Sequence, residues 1–190
     1  MIKAIFLAAG QSKRLKGENK LLKKFKKKPL IIHSLNSLIK SKINKIIIVL
    51  GFESQKIKNV IKRNKKIIFI MNKNYKSGIS SSIKTGIKKI STKDKGFIVV
   101  QSDMPYIKTS DINKIYTSIK KSNNLVHVLK FKNKVGNPIG FDISVIKKFK
   151  KIKGDKGAKF IVKKLKNNTN FIKVPSGKIF KDFDLKKDFN

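Results

Sequence analysis

The 190-residue sequence contains no cysteine and no tryptophan, and it has only two histidines, four prolines and ten acidic residues. The absence of cysteine excludes disulfide bonds and thiolate metal sites. The amino-terminal MIKAIFLAAG contains an apolar run that is too short to span a membrane, and it lacks the layout of a signal peptide. These absences predict a cytoplasmic protein with no membrane segment.

Arginine is also scarce, since Arg14 and Arg63 are the two arginines among 48 basic residues in a chain with a net charge of +38. A surface that reads nucleic acid is expected to use more arginine, because the planar guanidinium contacts phosphates and guanine edges bidentately. The lysines are spread along the whole chain, and the phenylalanines lie mostly in apolar runs. We therefore interpret the lysines mainly as solvated surface and expect no specific nucleic-acid partner. A basic nucleic-acid-binding module is the non-enzymatic alternative.

Short runs of isoleucine, valine and phenylalanine alternate with amphipathic, lysine-rich segments, which predicts βα units around a largely parallel sheet. Strands are predicted at 2–8, 45–50, 67–71, 97–101, 125–131 and 170–174. Helices are predicted at 30–41, 54–64, 79–90, 109–121, 143–151 and 157–166. No linker or repeat divides the chain, and KKFKKK at 23–28 is interpreted as a solvated loop. Residues 1–190 are therefore expected to form a single α/β domain with a doubly wound, mainly parallel, Rossmann-like sheet.

Ligands of such sheets bind outside the carboxyl ends of the strands, and the first segment there is LAAGQSKRLKGENKLL, residues 7–22. Small residues at 8–10 allow the backbone to approach a ligand, and consecutive main-chain amides can bind an anion. Ser12, Arg14 and Lys20 add a hydroxyl and two cations. The spacing fits neither the dinucleotide fingerprint nor the P-loop. Taken alone, the segment is either a phosphate-binding loop of another design or an ordinary turn.

Acidic residues mark two further segments. Asp103 directly follows an apolar strand in VVQSDMPY, residues 99–106, where it suits either Mg2+ that bridges phosphate oxygens or an Asx-type turn. Asp182 and Asp184 stand two residues apart in KDFDLKKD, residues 181–188. In an extended segment both would face the same side and supply a second carboxylate. The alternative for this segment is a fraying tail.

Serines and glycines mark the remaining segments. Gly78 and three serines at 80–82 lie at a predicted helix start, where free amides attract anions or the serines act as caps. VGNPIGFD, residues 135–142, and KGDKGAKFIVKKL, residues 153–165, follow later, and Asp155 is a candidate helix N-cap there. His33 and His127 are interpreted as structural. No Ser-His-Asp or Cys-His arrangement is evident, which argues against covalent hydrolysis.

Taken in order, these segments resemble the MobA-like nucleotidyltransferases. LAAGQSKRLKGENKLL is similar to the family pattern LAAGxSxRMGxxNKLL, NYKSGISSSIKTGI to N-x-x-x-x-G-x-x-x-S-[LI]-x-x-G-[LI], and SDMPYI to GDMPFV. GNPIGFD, GDKGAKFIVKKL and DFDLKKD resemble GNPVLF, GDxGARxLL and DIDTPEDL. The resemblance spans nearly the whole chain. LAAG together with GNP and GDxGA is the pattern of the molybdenum cofactor cytidylyltransferase branch.

The resemblance implies a Mg2+-dependent enzyme that transfers CMP from CTP to the phosphate of molybdopterin and releases pyrophosphate. CTP and molybdopterin would be its substrates, and a molybdoenzyme or its chaperone a further partner. Alternatives within the same fold use GTP, or another NTP with a phosphorylated small-molecule acceptor. A catalytically silent relative that carries the cofactor is a further alternative.

The resemblance also implies roles for individual residues. The implied catalytic residues are Arg14, Lys20 and Asp103. The implied nucleotide-binding residues are Leu7, Ala8, Ala9, Gly10, Ser12, Arg14, Lys20, Asn74, Gly78, Ser81, Ser82 and Ser102. The implied acceptor-binding residues are Asn137, Pro138 and Asp155, and the implied metal ligands are Asp103, Asp184 and Asp182. The chain departs from the family pattern at Leu15, Lys16, Glu18, Ser102, Lys159, Leu185 and Lys186.

Overall fold

A computed structural model of the chain describes residues 1–12, 15 and 18–189. Its strands are β1 (Ile2–Ala8), β2 (Lys24–Phe25), β3 (Lys28–Pro29), β4 (Lys45–Leu50), β5 (Ile67–Met71), β6 (Gly96–Gln101), β7 (Val126–Phe131), β8 (Lys134–Asp142) and β9 (Thr169–Lys173). Its helices are α1 (Leu30–Lys40), α2 (Ser54–Val60), α3 (Ile79–Ile87), α4 (Thr109–Lys121), α5 (Ile146–Phe149) and α6 (Ala158–Lys164). Short 3-10 turns cover Tyr75–Ser77, Ile143–Val145, Lys166–Asn168, Gly177–Phe180 and Lys186–Asp188. Within the described ranges, no helix is long and apolar enough to cross a membrane.

Seven strands form one sheet in the order β5-β4-β1-β6-β8-β7-β9. Every pairing is parallel except those of β8, which runs antiparallel to both β6 and β7. In register, Ile5 of β1 lies between Ile47 of β4 and Val99 of β6. The predicted α/β class with a mainly parallel sheet is confirmed.

The central strands are apolar along their whole length because helices cover both faces of the sheet. Successive side chains of a strand point to opposite faces, so Phe6 joins one core cluster and Ile5 the other. The first cluster joins the sheet to α1 and α4 through residues such as Leu35 and Ile115. The second joins it to α3, α5 and α6 through residues such as Ile83. The sheet is therefore the middle layer of three, and its carboxyl edge is the surface left for a site.

Six predicted strands agree with the structure to within one residue at each end, and the six predicted helices are present with shorter ends in most cases. Strand β8 was missed, because the predicted strands pass directly from 125–131 to 170–174. Glycine and proline are depleted in strands, so the pattern VGNPIGFD argued against one. Here Gly140 is required by packing, since a Cβ would lie 2.4 Å from the side chain of Ile115. Pro138 lies where the register with β7 is irregular, a position that tolerates a missing N–H.

The hairpin of β2 and β3 was also missed. Its two strands pair antiparallel, and the residues between them, Lys26 and Lys27, have positive φ values of 46° and 65°. Two residues with positive φ form the turn geometry that fits the twist of a tight hairpin. That geometry usually selects asparagine or glycine, so lysines at these positions gave no signal in the sequence.

Candidate functional site

A cleft of about 740 Å³ opens at the carboxyl ends of β1 and β6. From β1 the chain continues to the β4 side of the sheet, and from β6 it continues to the β7 and β8 side. Such a divergence leaves a crevice at the sheet edge, and this is the usual ligand site of an open α/β sheet. The predicted site residues that line the cleft are Leu7, Ala9, Gly10, Ser12, Lys20, Gly78, Ser82, Ser102, Asp103, Asp155, Asp182 and Asp184.

Other predicted site residues do not line this cleft. They are Ala8, Asn74, Ser81, Asn137 and Pro138. Ala8 is buried in the core cluster on the α1 and α4 side. Arg14, predicted to neutralise phosphate, and Lys16, a departure from the family pattern, lie outside the described residues.

The loop after β1 is closed on itself by Ser12. Its hydroxyl oxygen accepts a hydrogen bond from the backbone N–H of Lys20 at 3.0 Å, and its carbonyl accepts from the N–H of Leu15 at 2.8 Å. Ser12 adopts a positive φ of 53°, which turns the chain back, and Leu15 is buried beneath the loop. At Gly10 a Cβ would meet none of the described atoms within 4 Å. The loop thereby fixes the backbone of Lys20 at the cleft.

Lys20 bridges two aspartates that lie far apart in sequence. Its Nζ donates to Asp103 Oδ2 and to Asp184 Oδ1, each at 2.6 Å. The side chains of Lys20 and Asp103 are 15% exposed, and that of Asp184 is 32% exposed. The three groups form a partly buried cluster of two carboxylates and one ammonium at the cleft wall.

The net effect of burial and neighbouring charges is to raise the pKa values of both Lys20 and Asp103. Burial lowers the pKa of Lys20, but the charge of Asp103 and hydrogen bonds to Asp103 and Asp184 raise it by more, so the net pKa lies above its ordinary value. The lysine is therefore a permanent cation. Burial raises the pKa of Asp103, Lys20 opposes this, and the net pKa also lies above its ordinary value.

Asp184 reaches the cluster because the preceding residue is anchored. Phe183 is fully buried, and its ring packs edge-on against Phe25 at 4.8 Å between centroids and lies 5.9 Å from Tyr106. Asp188 Oδ2 accepts hydrogen bonds from the backbone amides of Asp184 and Leu185. The segment at 181–188 is thus packed and hydrogen-bonded, and the alternative of a fraying tail is wrong.

The donor set suits a hard divalent cation that shares its ligands with phosphate. Asp103 Oδ1 is buried and has no hydrogen-bond partner among the described atoms. In the described part of the chain, no three acidic or histidine side chains lie close enough to hold a metal by themselves. Mg2+ commonly uses one or two carboxylates together with water and substrate phosphates. Asp103 and Asp184 match that arrangement, with Asp182 exposed on the same cleft.

The wall after β5 is organised by Asn72, which sequence reasoning missed. Its Nδ2 donates to the hydroxyls of Ser81 and Ser82 at 2.9 and 3.1 Å, and its Oδ1 accepts from the backbone of Asn74 at 3.0 Å. Ser81 Oγ also lies 2.8 Å from the carbonyl of Gly78, so its polar atoms contact the protein itself. The signal in the sequence was a polar residue directly after an apolar strand. Of Ser81 and Ser82, Ser82 is the one that lines the cleft.

Gly78 joins this wall to the loop that carries Asp155. Gly78 has a φ of +95°, and a Cβ there would lie 2.5 Å from the carbonyl of Gly154. The backbone N–H of Ser80 donates to the same carbonyl at 3.1 Å. The N-cap of helix α6 is Gly157, so Asp155 is not the cap that the sequence suggested. Asp155 instead lines the cleft.

Two other predicted residues are held inside the sheet. Asn137 and Pro138 lie within β8 and are buried. Strand β8 fills the position beside β6, and this removes both residues from the cleft lining. Ser102 lines the cleft, but its hydroxyl donates to the carbonyl of Leu7 at 2.6 Å and ties β6 to β1.

The two histidines lie away from the cleft. His33 Nε2 is 2.8 Å from the carbonyl of Phe25, and His127 is fully buried with Nδ1 2.7 Å from Ser118 Oγ. Burial lowers the pKa of His127 to about 4, so this ring is neutral at physiological pH.

Among the described residues that line the cleft, acidic side chains outnumber basic ones. Four of the ten acidic residues line it, whereas two lysines, Lys20 and Lys76, appear among its described lining residues.

Comparison with known proteins gives a family match over most of the chain. Residues 4–169 match the model of the MobA-like NTP transferase domain. The chain is 33% identical over 136 residues to a probable molybdenum cofactor guanylyltransferase of Thermococcus sibiricus, which covers 71% of this chain and 65% of that protein. It is 32% identical over 192 residues to the bifunctional protein GlmU of Buchnera aphidicola, covering 100% of this chain and 39% of that protein. The chain thus spans less than two thirds of the length of either relative.

Solved structures share the fold at low sequence identity. Rv0371c of Mycobacterium tuberculosis superposes with a TM-score of 0.84 at 18% identity, over 99% of this chain and 94% of that one. The same protein in complex with manganese gives a TM-score of 0.75 at 16% identity, over 91% of this chain and 88% of that one. These likenesses show that the two chains share one fold.

Proposed function

Because this chain belongs to the family of MobA-like NTP transferase domains, we propose that it transfers CMP from CTP to the phosphate of molybdopterin and releases pyrophosphate. Family membership makes the chain a nucleotidyltransferase domain, in agreement with the prediction from its motifs. The nucleotide, the acceptor and the metal are the proposed part.

The observation that carries the proposal is the cluster of Lys20, Asp103 and Asp184 at the cleft wall. Nucleotidyl transfer needs cations that neutralise a triphosphate and carboxylates that hold a divalent metal against it. The cluster supplies both kinds of group, and the glycine-containing loop at 9–12 lines the same cleft. Asp103 and Asp184 would hold Mg2+, which would act as a Lewis acid and make the α-phosphorus more electrophilic. A manganese complex of the similar Rv0371c supports a divalent metal here.

The protein's own part in such a reaction is positioning and charge neutralisation. The main-chain amides of the loop would hold the phosphates, and Lys20 would neutralise the leaving pyrophosphate. The acceptor phosphate is itself an anionic nucleophile, so the reaction requires no general base. Both histidines lie away from the cleft, in keeping with that chemistry.

The two substrates would approach from different walls. The nucleotide would lie along the first loop toward Gly78 and Ser82, and the acceptor would lie toward Asp155. Asn137 and Pro138 would support the acceptor side from within β8 and not touch it. The product would then pass to a molybdoenzyme or its chaperone.

CTP is proposed because LAAG, GNP and GDxGA occur together in the sequence. The Thermococcus relative is described as a guanylyltransferase, so GTP is the second candidate nucleotide. A nucleic-acid-binding function is disfavoured by the scarcity of arginine and by lysines that are spread along the whole chain.

A turnover assay tests the proposal. The protein is incubated with Mg2+, molybdopterin and each NTP in turn, and pyrophosphate release is followed, with a reaction lacking molybdopterin as the control. Acceptor-dependent release with CTP supports the proposal, and release with GTP alone moves the chain to the guanylyltransferase activity. No release with any of the nucleotides contradicts both and favours the catalytically silent alternative.

A further inference from the structure

We propose that the Lys20 ammonium and a divalent cation compete for the same pair of carboxylates, so that metal binds the cleft well only after a nucleotide phosphate has drawn the lysine away. This inference rests on the proposed function, since it assumes that Asp103 and Asp184 are metal ligands. It concerns the order in which the site fills.

The geometry brings a metal ion held by Asp103 Oδ2 or Asp184 Oδ1 close to the Lys20 ammonium. Nζ lies 2.6 Å from one oxygen of each carboxylate. A Mg2+ ion binds oxygen at about 2.1 Å. An ion held by either of these oxygens would therefore lie no more than about 4.7 Å from Nζ. Two cations at that separation repel each other, and the repulsion is strong in a site that is largely removed from solvent.

Lys20 can turn its side chain away from the two carboxylates into the cleft. Its backbone is fixed by the bond from its N–H to Ser12 Oγ, so the loop would not have to move. Its side chain is a flexible aliphatic chain that ends in an ammonium group with three N–H donors. The cleft beside it is about 740 Å³, large enough for a nucleotide. A phosphate oxygen in that cleft would accept the ammonium in place of the carboxylates, and Lys20 would then no longer compete with a metal for them.

The charges make this exchange favourable when both ligands are present. In the protein alone, Lys20 satisfies one oxygen of each aspartate. With a triphosphate bound, the site contains more negative charge than one ammonium can neutralise, and a divalent cation fits the excess. The lysine therefore links the two binding events. Removing it should raise metal affinity in the protein alone, although the protein then loses a phosphate contact.

Titration of the nucleotide-free protein with Mn2+, followed by electron paramagnetic resonance of the free ion, tests this competition. We expect Lys20→Met to bind Mn2+ at least 10-fold more tightly than the wild type. Lys20→Arg keeps the charge and should bind as weakly as the wild type. Lys76→Met removes a positive charge from the same cleft and controls for the change in net charge, with an expected change of at most about 2-fold.

Two outcomes would overturn the competition. One is equal Mn2+ affinity in Lys20→Met and Lys76→Met, and the other is no Mn2+ binding to Lys20→Met at all. If either occurs while the wild type still releases pyrophosphate, the proposed function stands and the role of Lys20 as a competitor is wrong. If the wild type also releases none, the proposed function itself fails.

Discussion

The backbone N–H of Phe183 donates to the carbonyl oxygen of Asp103 at 3.1 Å. This bond ties the segment that carries Asp182 and Asp184 directly to the loop after β6. The two candidate metal ligands Asp103 and Asp184 are therefore fixed relative to each other by a main-chain contact, with the Phe183 ring buried beside it.

Phe183→Ala should separate these two carboxylates. Loss of a fully buried phenylalanine costs about 3–5 kcal/mol of unfolding free energy, and the segment loses its anchor. We expect the Mg2+ concentration for half-maximal pyrophosphate release to rise about 10-fold. Phe171→Ala is the control, because this ring is 37% exposed on β9 and its loss should leave the Mg2+ requirement unchanged. An unchanged requirement in a folded Phe183→Ala variant would show that Asp184 needs no such anchor.

Asp103→Asn should lower turnover by at least about 100-fold, because it removes a negatively charged ligand of the proposed metal, which stabilises charge on the reacting phosphates. Stability should change by less than about 1 kcal/mol, since burial already disfavours the charged form of this carboxyl and raises its pKa. Pyrophosphate release and urea denaturation measure the two effects separately. Asp142→Asn, outside the cleft lining, is the control and should keep full activity. Near-normal turnover of Asp103→Asn would remove Asp103 from the metal site.

Gly78→Ala should be far more costly than Gly154→Ala. Both glycines have positive φ, so both substitutions carry backbone strain of about 1 kcal/mol. A Cβ at Gly78 would also lie 2.5 Å from the carbonyl of Gly154, whereas a Cβ at Gly154 would meet nothing within 4 Å. We expect Gly78→Ala to lose at least about 2 kcal/mol of unfolding free energy, measured by urea denaturation. Equal losses of unfolding free energy in the two variants would show that the loop at Gly154 can move to accommodate a Cβ at position 78.

His127 should make the protein less stable in acid. Its pKa is about 4 in the folded protein and about 6.5 when unfolded, so the unfolded state binds more protons between these values. The free energy of unfolding therefore falls as pH is lowered, by about 2 kcal/mol from this residue between pH 7.5 and 5.0.

Urea denaturation at the two pH values, with His127→Asn alongside the wild type, isolates this effect. The variant lacks the titrating ring, so its stability should fall by about 2 kcal/mol less. Asp94, whose pKa is lowered by Lys3 despite the opposing effect of burial, loses its contribution in acid in both proteins and cancels in the comparison. Parallel pH dependences would show that His127 takes up its proton without unfolding.

The parts of the fold that follow from sequence are those in which local pattern and tertiary packing agree. Strands such as KIIIVL are apolar throughout because both faces are buried, so they were predicted to the residue. Strand β8 was not, because its glycines are explained by helix α4 packing against Gly140, a contact between segments far apart in sequence.

The site divides in the same way. The sequence placed Asp103 after a strand and Lys20 in the loop that follows the first strand, but nothing in it could show that one ammonium bridges Asp103 and Asp184. Asn72 was overlooked because it holds Ser81 and Ser82 through side-chain hydrogen bonds. Such contacts produce no recognisable residue spacing in the sequence. Asn137 was placed at the site by its motif, whereas strand pairing buries it in β8.

Four aspartates line the cleft of a protein with a net charge of +38, so the capture of a substrate from solution and its binding inside the cleft depend on different charges. Anionic substrates are attracted by the surface as a whole, and dissolved salt screens that attraction over about 8 Å at physiological ionic strength. Contacts inside the partly buried cleft are screened much less. Rising ionic strength should therefore slow the capture of substrate and lower kcat/KM, while kcat, which reports on molecules already bound, stays nearly constant.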